Sequence, residues 1–226
     1  PKESRKRTEG ADLVSGPLKV EFQDVKTSYG SGHPVNTVIE PGERLAIIGR
    51  SGTGKSELIG LLKKQSQPNA GRILINNCRY EWLANQEINE RMVFISKVEI
   101  FSGSIEENIR LGRNSIAQPD IQAILRQLGA SEALLSYDDG IQTNLSVGGY
   151  PLSNVEAIRI VLARGLIANP SLILIDCLFD QLADDDLNEL LEGLSVFTET
   201  TFVVTSGRKQ LATWADKSIN LAAPNS

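Results

Sequence analysis

Gly49-Arg-Ser-Gly-Thr-Gly-Lys55-Ser56 fits the pattern G-x-x-x-x-G-K-[ST] without a gap and follows the apolar run Leu45-Ala-Ile-Ile48. A chain with this segment is expected to leave a buried strand, curl around phosphate oxygens and enter a helix. Gly49, Gly52 and Gly54 free the backbone to aim successive N–H groups inward, with Ser51 and Thr53 between them. Lys55 offers a point charge to the outer phosphates and Ser56 a hydroxyl to Mg²⁺, while the helix expected to begin near Gly54 adds its positive end. The ligand expected here is a nucleoside triphosphate with its magnesium ion.

With 226 residues the chain has room for one large α/β domain, or for a core with an inserted lobe. Its net charge of -5 gives no basic excess, which argues against nucleic acid as a partner. The Lys2–Arg7 cluster sits in a polar stretch ending near Gly16-Pro17, read as a solvated linker over residues 1–16. No apolar run approaches the roughly 20 residues of a membrane helix, and no signal peptide is visible. The first residue is Pro1 rather than methionine, so a fragment of a longer chain is expected. Cys78 and Cys177 are too few for a disulfide framework, and His33, the sole histidine, rules out a multi-histidine metal site.

Strand and helix patterns alternate along the chain, which predicts a mainly parallel sheet covered by helices. Strands are expected around Leu18–Phe22, Leu45–Ile48, Arg72–Ile75, Met92–Ile95, Leu172–Ile175, Thr201–Val204 and Lys217–Leu221. Helices are expected over Glu57–Lys64, around Ile121–Leu128 with Gly129 closing it, over Val155–Ala168, and over Leu187–Leu194 capped by Asp184-Asp-Asp186. Leu172-Ile-Leu-Ile-Asp176, an apolar strand ending in a carboxylate, supplies the usual second ligand for Mg²⁺. The isolated aromatics Trp82, Phe179 and Trp214 are read as core.

In this order the segments resemble the nucleotide-binding domains of ATP-binding cassette (ABC) transporters, and the likeness runs from Leu18 to Leu221. Gly49–Ser56 matches the family's Walker A motif, and Leu172–Asp176 its Walker B motif. Phe101–Ile109 is similar to the segment after the exporter Q-loop, Arg159–Arg164 to the helix after the signature, and Trp214–Asp216 to the stretch after the switch histidine. Tyr29 stands where the family stacks an aromatic on adenine. Val98–Gly103 and Tyr137–Thr143 give an exporter flavour similar to type I secretion ATPases. The resemblance implies an α/β fold with a P-loop NTPase core, a mainly parallel sheet, an antiparallel β subdomain and an inserted α-helical signature lobe at about residues 98–166. It also implies ATP and Mg²⁺ as ligands, a second nucleotide-binding domain and a transmembrane domain as partners, and a place at the cytoplasmic face of a membrane.

Several positions depart from the family pattern. The water-polarising glutamate after Walker B is Cys177, whose thiol is a poor base at neutral pH. The Q-loop glutamine falls at Ser96, beside Lys97, and the switch histidine at Gly207. The signature becomes Leu152-Ser153-Asn154-Val155-Glu156, in which both glycines are lost and Ser153 with Glu156 forms a helix capping box. The D-loop reads Asp180-Gln-Leu-Ala183, and Val147 replaces a glutamate before the signature. The expected protein holds Mg-ATP and hydrolyses it weakly or not at all, in a regulatory or structural role. The alternatives are an active transport ATPase that recruits a carboxylate such as Asp180, and a soluble ATP-binding adaptor.

Overall fold

The computed structural model describes residues 17–28, 33–130, 133–134 and 136–221. Tyr29 and the expected linker over residues 1–16 lie outside the described residues. Among the described residues, parallel strands β3 (Arg44–Gly49), β6 (Met92–Ile95), β9 (Leu172–Asp176), β10 (Thr201–Ser206) and β11 (Lys217–Leu221) form a sheet in the order β11-β3-β10-β9-β6. A second, antiparallel sheet has the order β2-β1-β4-β5, from β1 (Val20–Lys26), β2 (Val35–Ile39), β4 (Ala70–Ile75) and β5 (Cys78–Arg79). A short hairpin pairs β7 (Gly103–Ser104) with β8 (Asn144–Leu145).

Both faces of the parallel sheet are covered, and the strands' two-residue period sorts their side chains between two cores. Leu45, Ile47, Leu172, Leu174 and Val203 face the antiparallel sheet and helix α1 (Lys55–Leu62). Ala46, Ile48, Ile173, Ile175, Phe202 and Val204 face the opposite core. That second core also takes in α3 (Ile105–Arg110), α4 (Gln118–Gln127), α5 (Asn154–Leu166) and α6 (Asp184–Leu194). Residues from about 98 to 166 therefore share a continuous core with the sheet. Further α-helices among the described residues are α2 (Asn85–Arg91) and α7 (Leu211–Trp214).

Two polar side chains, the buried Asn108 and the half-buried Arg164, hold the chain after β6 in place. Asn108 is 2% exposed and closes the loop before α3, accepting from Phe101 N and donating to Phe101 O, both at 2.9 Å. Arg164 on α5 reaches across to Asn108 O at 2.7 Å and Glu99 O at 2.8 Å, so the chain leaving β6 is fastened to α5. Ser104 and Glu107 form a capping box on α3 that the sequence reading did not single out.

Some local expectations need correction. Helix α1 begins at Lys55 with Gly54 in the left-handed region (φ 93°) as its N-cap, where the start near Gly54 was expected, but it ends at Leu62, two residues short of the expected Lys64. Asp184, Asp185 and Asp186 do not cap α6; Ala183 is the N-cap, and the three aspartates occupy the first turn, where their charge complements the helix dipole. Phe179 is fully buried and Trp214 half-buried, but Trp82 is 73% exposed and belongs to no core.

One ion pair clamps the start of β3 to the start of β11. Arg44 donates to Asp216 through its backbone N (2.9 Å), Nε (3.1 Å) and Nη2 (3.0 Å). Its guanidinium also lies 5.1 Å from the Trp214 ring, which meets Phe202 edge-on. The hydrogen bonds from Arg44 hold the Asp216 carboxyl below its ordinary value of 3.8. A carboxyl lowered in the folded state stabilises the fold above that ordinary value, and its contribution is lost as pH falls through the acid range. Because the pair is partly solvent-exposed, Asp216→Asn is expected to cost about 1 kcal/mol or less at neutral pH. Thermal melts should show a drop of roughly 2–4 °C at neutral pH that shrinks below about pH 4.

Candidate functional site

Parallel pairing brings the carboxyl ends of β3, β9, β10 and β6 to one edge of the sheet, the usual place for a ligand in an open α/β fold. The register sets Thr205 beside Asp176 and Ser206 beside Ile48, and β6 ends with Ile95 beside Ile175. Gly49, Ser96, Cys177 and Gly207 are therefore the residues that step off adjacent strands. Positions 30 to 158 residues apart in sequence meet here only because the strands are parallel and in register.

The phosphate loop is tightly wound. Thr53 donates to Arg50 O from its backbone N (3.4 Å) and from its hydroxyl (2.9 Å), closing a turn over Ser51 and Gly52. A Cβ on Gly49 would meet Thr53 Oγ1 at 2.5 Å and Leu221 O at 2.9 Å, so no larger residue fits where the loop leaves β3. Lys55 is 7% exposed, and its ammonium donates to Gly49 O at 2.7 Å and Arg50 O at 2.9 Å. Those acceptors are neutral carbonyls, and a charged phosphate oxygen makes the stronger partner.

Asp176 ties three elements together. Its Oδ1 accepts from Ser56 Oγ at 3.1 Å, on α1, and from Thr205 Oγ1 at 2.5 Å, on β10. Oδ2 has no hydrogen-bond donor among the described residues, which leaves one carboxylate oxygen beside the Ser56 hydroxyl for a hard cation. No group of three or more His, Cys, Asp or Glu among the described residues is arranged to hold a metal, so phosphate oxygens and water would complete such a site. The residues present thus fit a magnesium–phosphate ligand. Sequence reasoning missed Thr205; the available signal was a hydroxyl ending the apolar run Phe202–Val204 in a strand parallel to Walker B.

Cys177 occupies the left-handed region at φ 53°, uncommon for a residue with a side chain. Its backbone N donates to Thr205 O at 3.0 Å and approaches Thr205 Oγ1 at 3.1 Å, and its Sγ lies 3.5 Å from the same hydroxyl. Burial pushes the thiol upward, and Asp176 and Asp180 add to the effect against the opposing Thr205 hydrogen bond and Lys55 charge. The side chain stays neutral at physiological pH and offers no carboxylate to a water molecule.

Ser96 is exposed just beyond β6, and Lys97 pairs with Glu99 rather than with any group of the phosphate loop. Gly207 has an ordinary backbone angle, and a Cβ there would meet nothing nearer than Asp180 Oδ2 at 3.7 Å. The glycine is not demanded by packing. His33 is exposed in its turn.

The signature-like residues sit at the N-terminus of α5. Ser153 Oγ accepts from Glu156 N at 3.3 Å, and Glu156 Oε2 accepts from Ser153 N at 2.6 Å, completing the expected capping box. Tyr137 adds its hydroxyl to both Glu156 oxygens at 3.3 and 3.2 Å. Burial, reinforced by the Glu156 charge and hydrogen bond, raises that phenol. Glu156 is thus engaged within its own lobe, while Asn154 is exposed and Val155 packs against the core. No hydrogen bond joins residues 153–156 to the phosphate loop among the described residues.

Comparison with known proteins places this geometry in a family. Residues 33–177, well over half of the chain, match the family model described as ABC transporter. A putative export ATP-binding/permease protein of Rickettsia conorii is 30% identical over 84% of this chain and 34% of its own length. A probable ABC transporter ATP-binding/permease protein of Haemophilus influenzae is 31% identical over 96% of this chain and 40% of its own length. The chain thus spans between about a third and two fifths of these curated relatives. Among solved structures, a bacterial Atm1-family ABC exporter with ATP bound superposes with a TM-score of 0.78 at 24% identity, covering 91% of this chain and 37% of that one. That likeness supports an ABC ATPase-like fold. With the family model matched across the phosphate loop, Walker B and the strands between them, the chain belongs to the ABC transporter family.

Proposed function

We propose that this chain is the ATP-binding domain of an ABC-type exporter that holds Mg-ATP and hydrolyses it weakly or not at all, in a regulatory or structural role. One observation carries the reading: the binding group of Lys55, Ser56 and Asp176 is assembled, while the next residue along β9 offers only a neutral, half-buried thiol turned toward Thr205. Gly49, Ser51, Gly52, Thr53, Gly54 and Lys55 would hold the phosphates, Tyr29 the adenine, and Ser56 with Asp176 the Mg²⁺. When bound, Mg²⁺ neutralises charge on the outer phosphates. Thr205 keeps Asp176 oriented toward Ser56. Ser96 and Gly207 bring neither an amide nor an imidazole to the sheet edge, so water activation lacks its usual groups.

The relatives' combined ATP-binding/permease names support a transmembrane domain, in the same or a partner chain, with residues 1–16 as the connection. Among the described residues no helix is long and apolar enough to cross a membrane; on the relatives' permease names, the domain would act at the cytoplasmic face of a membrane through that partner. Pairing with a second nucleotide-binding domain fits the same architecture. An active ATPase that recruits Asp180 is less favoured, because both Asp180 oxygens accept from Gly207 N at 3.2 Å and Oδ1 also accepts from Ser206.

Lys55→Ala should weaken Mg-ATP binding at least about tenfold in a titration, since a charge-assisted contact to phosphate is removed. Steady-state phosphate release by the unaltered protein should match that of Lys55→Ala, and turnover clearly above this control would overturn the reading. Cys177→Glu should restore little release, because Ser96, Val155 and Gly207 remain; recovery to the rate of an ordinary transport ATPase, about 1 per second or more, would show that residue 177 alone is limiting.

A further inference from the structure

The end of β10 presents two donors to the phosphate edge of the sheet, the Ser206 hydroxyl and the Gly207 backbone N–H. Parallel pairing with β3 puts them beside the residue from which the phosphate loop springs. Both are already engaged. Asp180, in the single turn of 3-10 helix Leu178–Gln181 that follows Walker B, accepts from Ser206 Oγ and from Gly207 N, the latter at 3.2 Å to each oxygen. A Cβ built on Gly207 would lie 3.7 Å from Asp180 Oδ2 and 3.9 Å from Gly49 O, so carboxylate and loop approach the same point.

The charge on Asp180 has no cationic partner among the described residues. Arg208, the nearest guanidinium in sequence to these donors, is committed to Phe179 O at 3.3 Å, Leu182 O at 2.5 Å, and the carboxylate of Asp184. Ser206 is fully buried whereas Asp180 and Gly207 are exposed, so the anion sits at the surface of this edge with the Ser206 hydroxyl behind it. It takes up both donors at the end of β10, and its charge would repel a second anion brought to the same point.

We propose that Asp180 is a specificity-determining residue that stands in for a terminal phosphate and tilts the site from nucleoside triphosphate toward nucleoside diphosphate. This rests on the reading that the phosphate loop binds a nucleotide. A diphosphate fills the loop and leaves the Asp180 contacts intact. A triphosphate must share the edge with Asp180 or displace it from Ser206 and Gly207, and the displaced segment 180–183 would then move with the ligand. By linkage, whatever holds that segment in place weakens triphosphate binding by the same factor.

The test is calorimetric titration of the full-length protein with Mg-ATP and Mg-ADP, using the unaltered chain, Asp180→Asn and Asp180→Ala. Asparagine removes the charge and keeps an acceptor; alanine removes both. The unaltered protein should prefer Mg-ADP, and both variants should move the ATP-to-ADP affinity ratio toward ATP by about tenfold, equivalent to about 1.4 kcal/mol. Melting curves of both variants check that the fold is retained, and the ratio is internal to each variant, so it does not depend on equal active fractions. Binding of both nucleotides with a ratio unchanged in the two variants overturns the role of Asp180 alone. Binding of neither nucleotide to the unaltered protein overturns the nucleotide reading on which it rests.

Discussion

Parallel strands in register are the constraint from which the rest of this site follows. Each must be joined to its neighbour by a crossover, so all the connections that leave the carboxyl ends gather at one edge. Residues 49, 96, 177 and 207 become neighbours there although long stretches of helix and loop separate them in sequence. Asp176 fixes the centre of that edge, because one of its oxygens accepts from α1 and from β10 together. Removing either donor would leave the carboxylate free to turn away from Ser56.

The two cores explain why that edge is rigid. Alternate residues of β3, β9 and β10 point into opposite cores, so a strand cannot slip by one residue without exposing one face and crowding the other. The inserted segment joins the larger of these cores and is also fastened by polar contacts, with Asn108 closing its first loop and Arg164 tying that loop to α5. A buried polar group such as Asn108 is costly when unpaired, which makes the loop conformation after β6 specific. The signature-like residues are built on the same lobe, but the side chains of Ser153 and Glu156 are spent on starting α5 and on Tyr137. The segment keeps its structural duty even though the glycines are absent.

Much of the fold was legible because hydrophobic periodicity reports burial directly. The strands at Met92–Ile95, Leu172–Asp176 and Lys217–Leu221, and the helix behind Ser153, stand where the pattern placed them. Helix ends were read less well. The phosphate loop placed the start of α1 near Gly54, as found, but the helix ends at Leu62, two residues short of Lys64. The run Asp184–Asp186 looked like a cap, yet its charges serve the first turn, because capping depends on a backbone angle that composition does not encode. Trp82 was read as core from residue type alone and is exposed, its ring met by the Arg79 guanidinium at 5.3 Å.

The sequence alone supplied the phosphate-loop motif and, against the family pattern, the departures on which the proposal of impaired hydrolysis rests. A phosphate loop is a local object whose residues are contiguous, so Gly49–Ser56 could be read without knowing what surrounds it. The substitutions at 96, 177 and 207 were visible as residue identities against a family pattern. Only the tertiary structure decided what the substituted positions do instead. Thr205 orients Asp176, the Cys177 thiol turns toward Thr205, and Asp180 takes the donors at the end of β10. Each of these contacts joins residues that share no sequence periodicity and meet through strand register, and register is set by the packing of both cores rather than by any segment on its own.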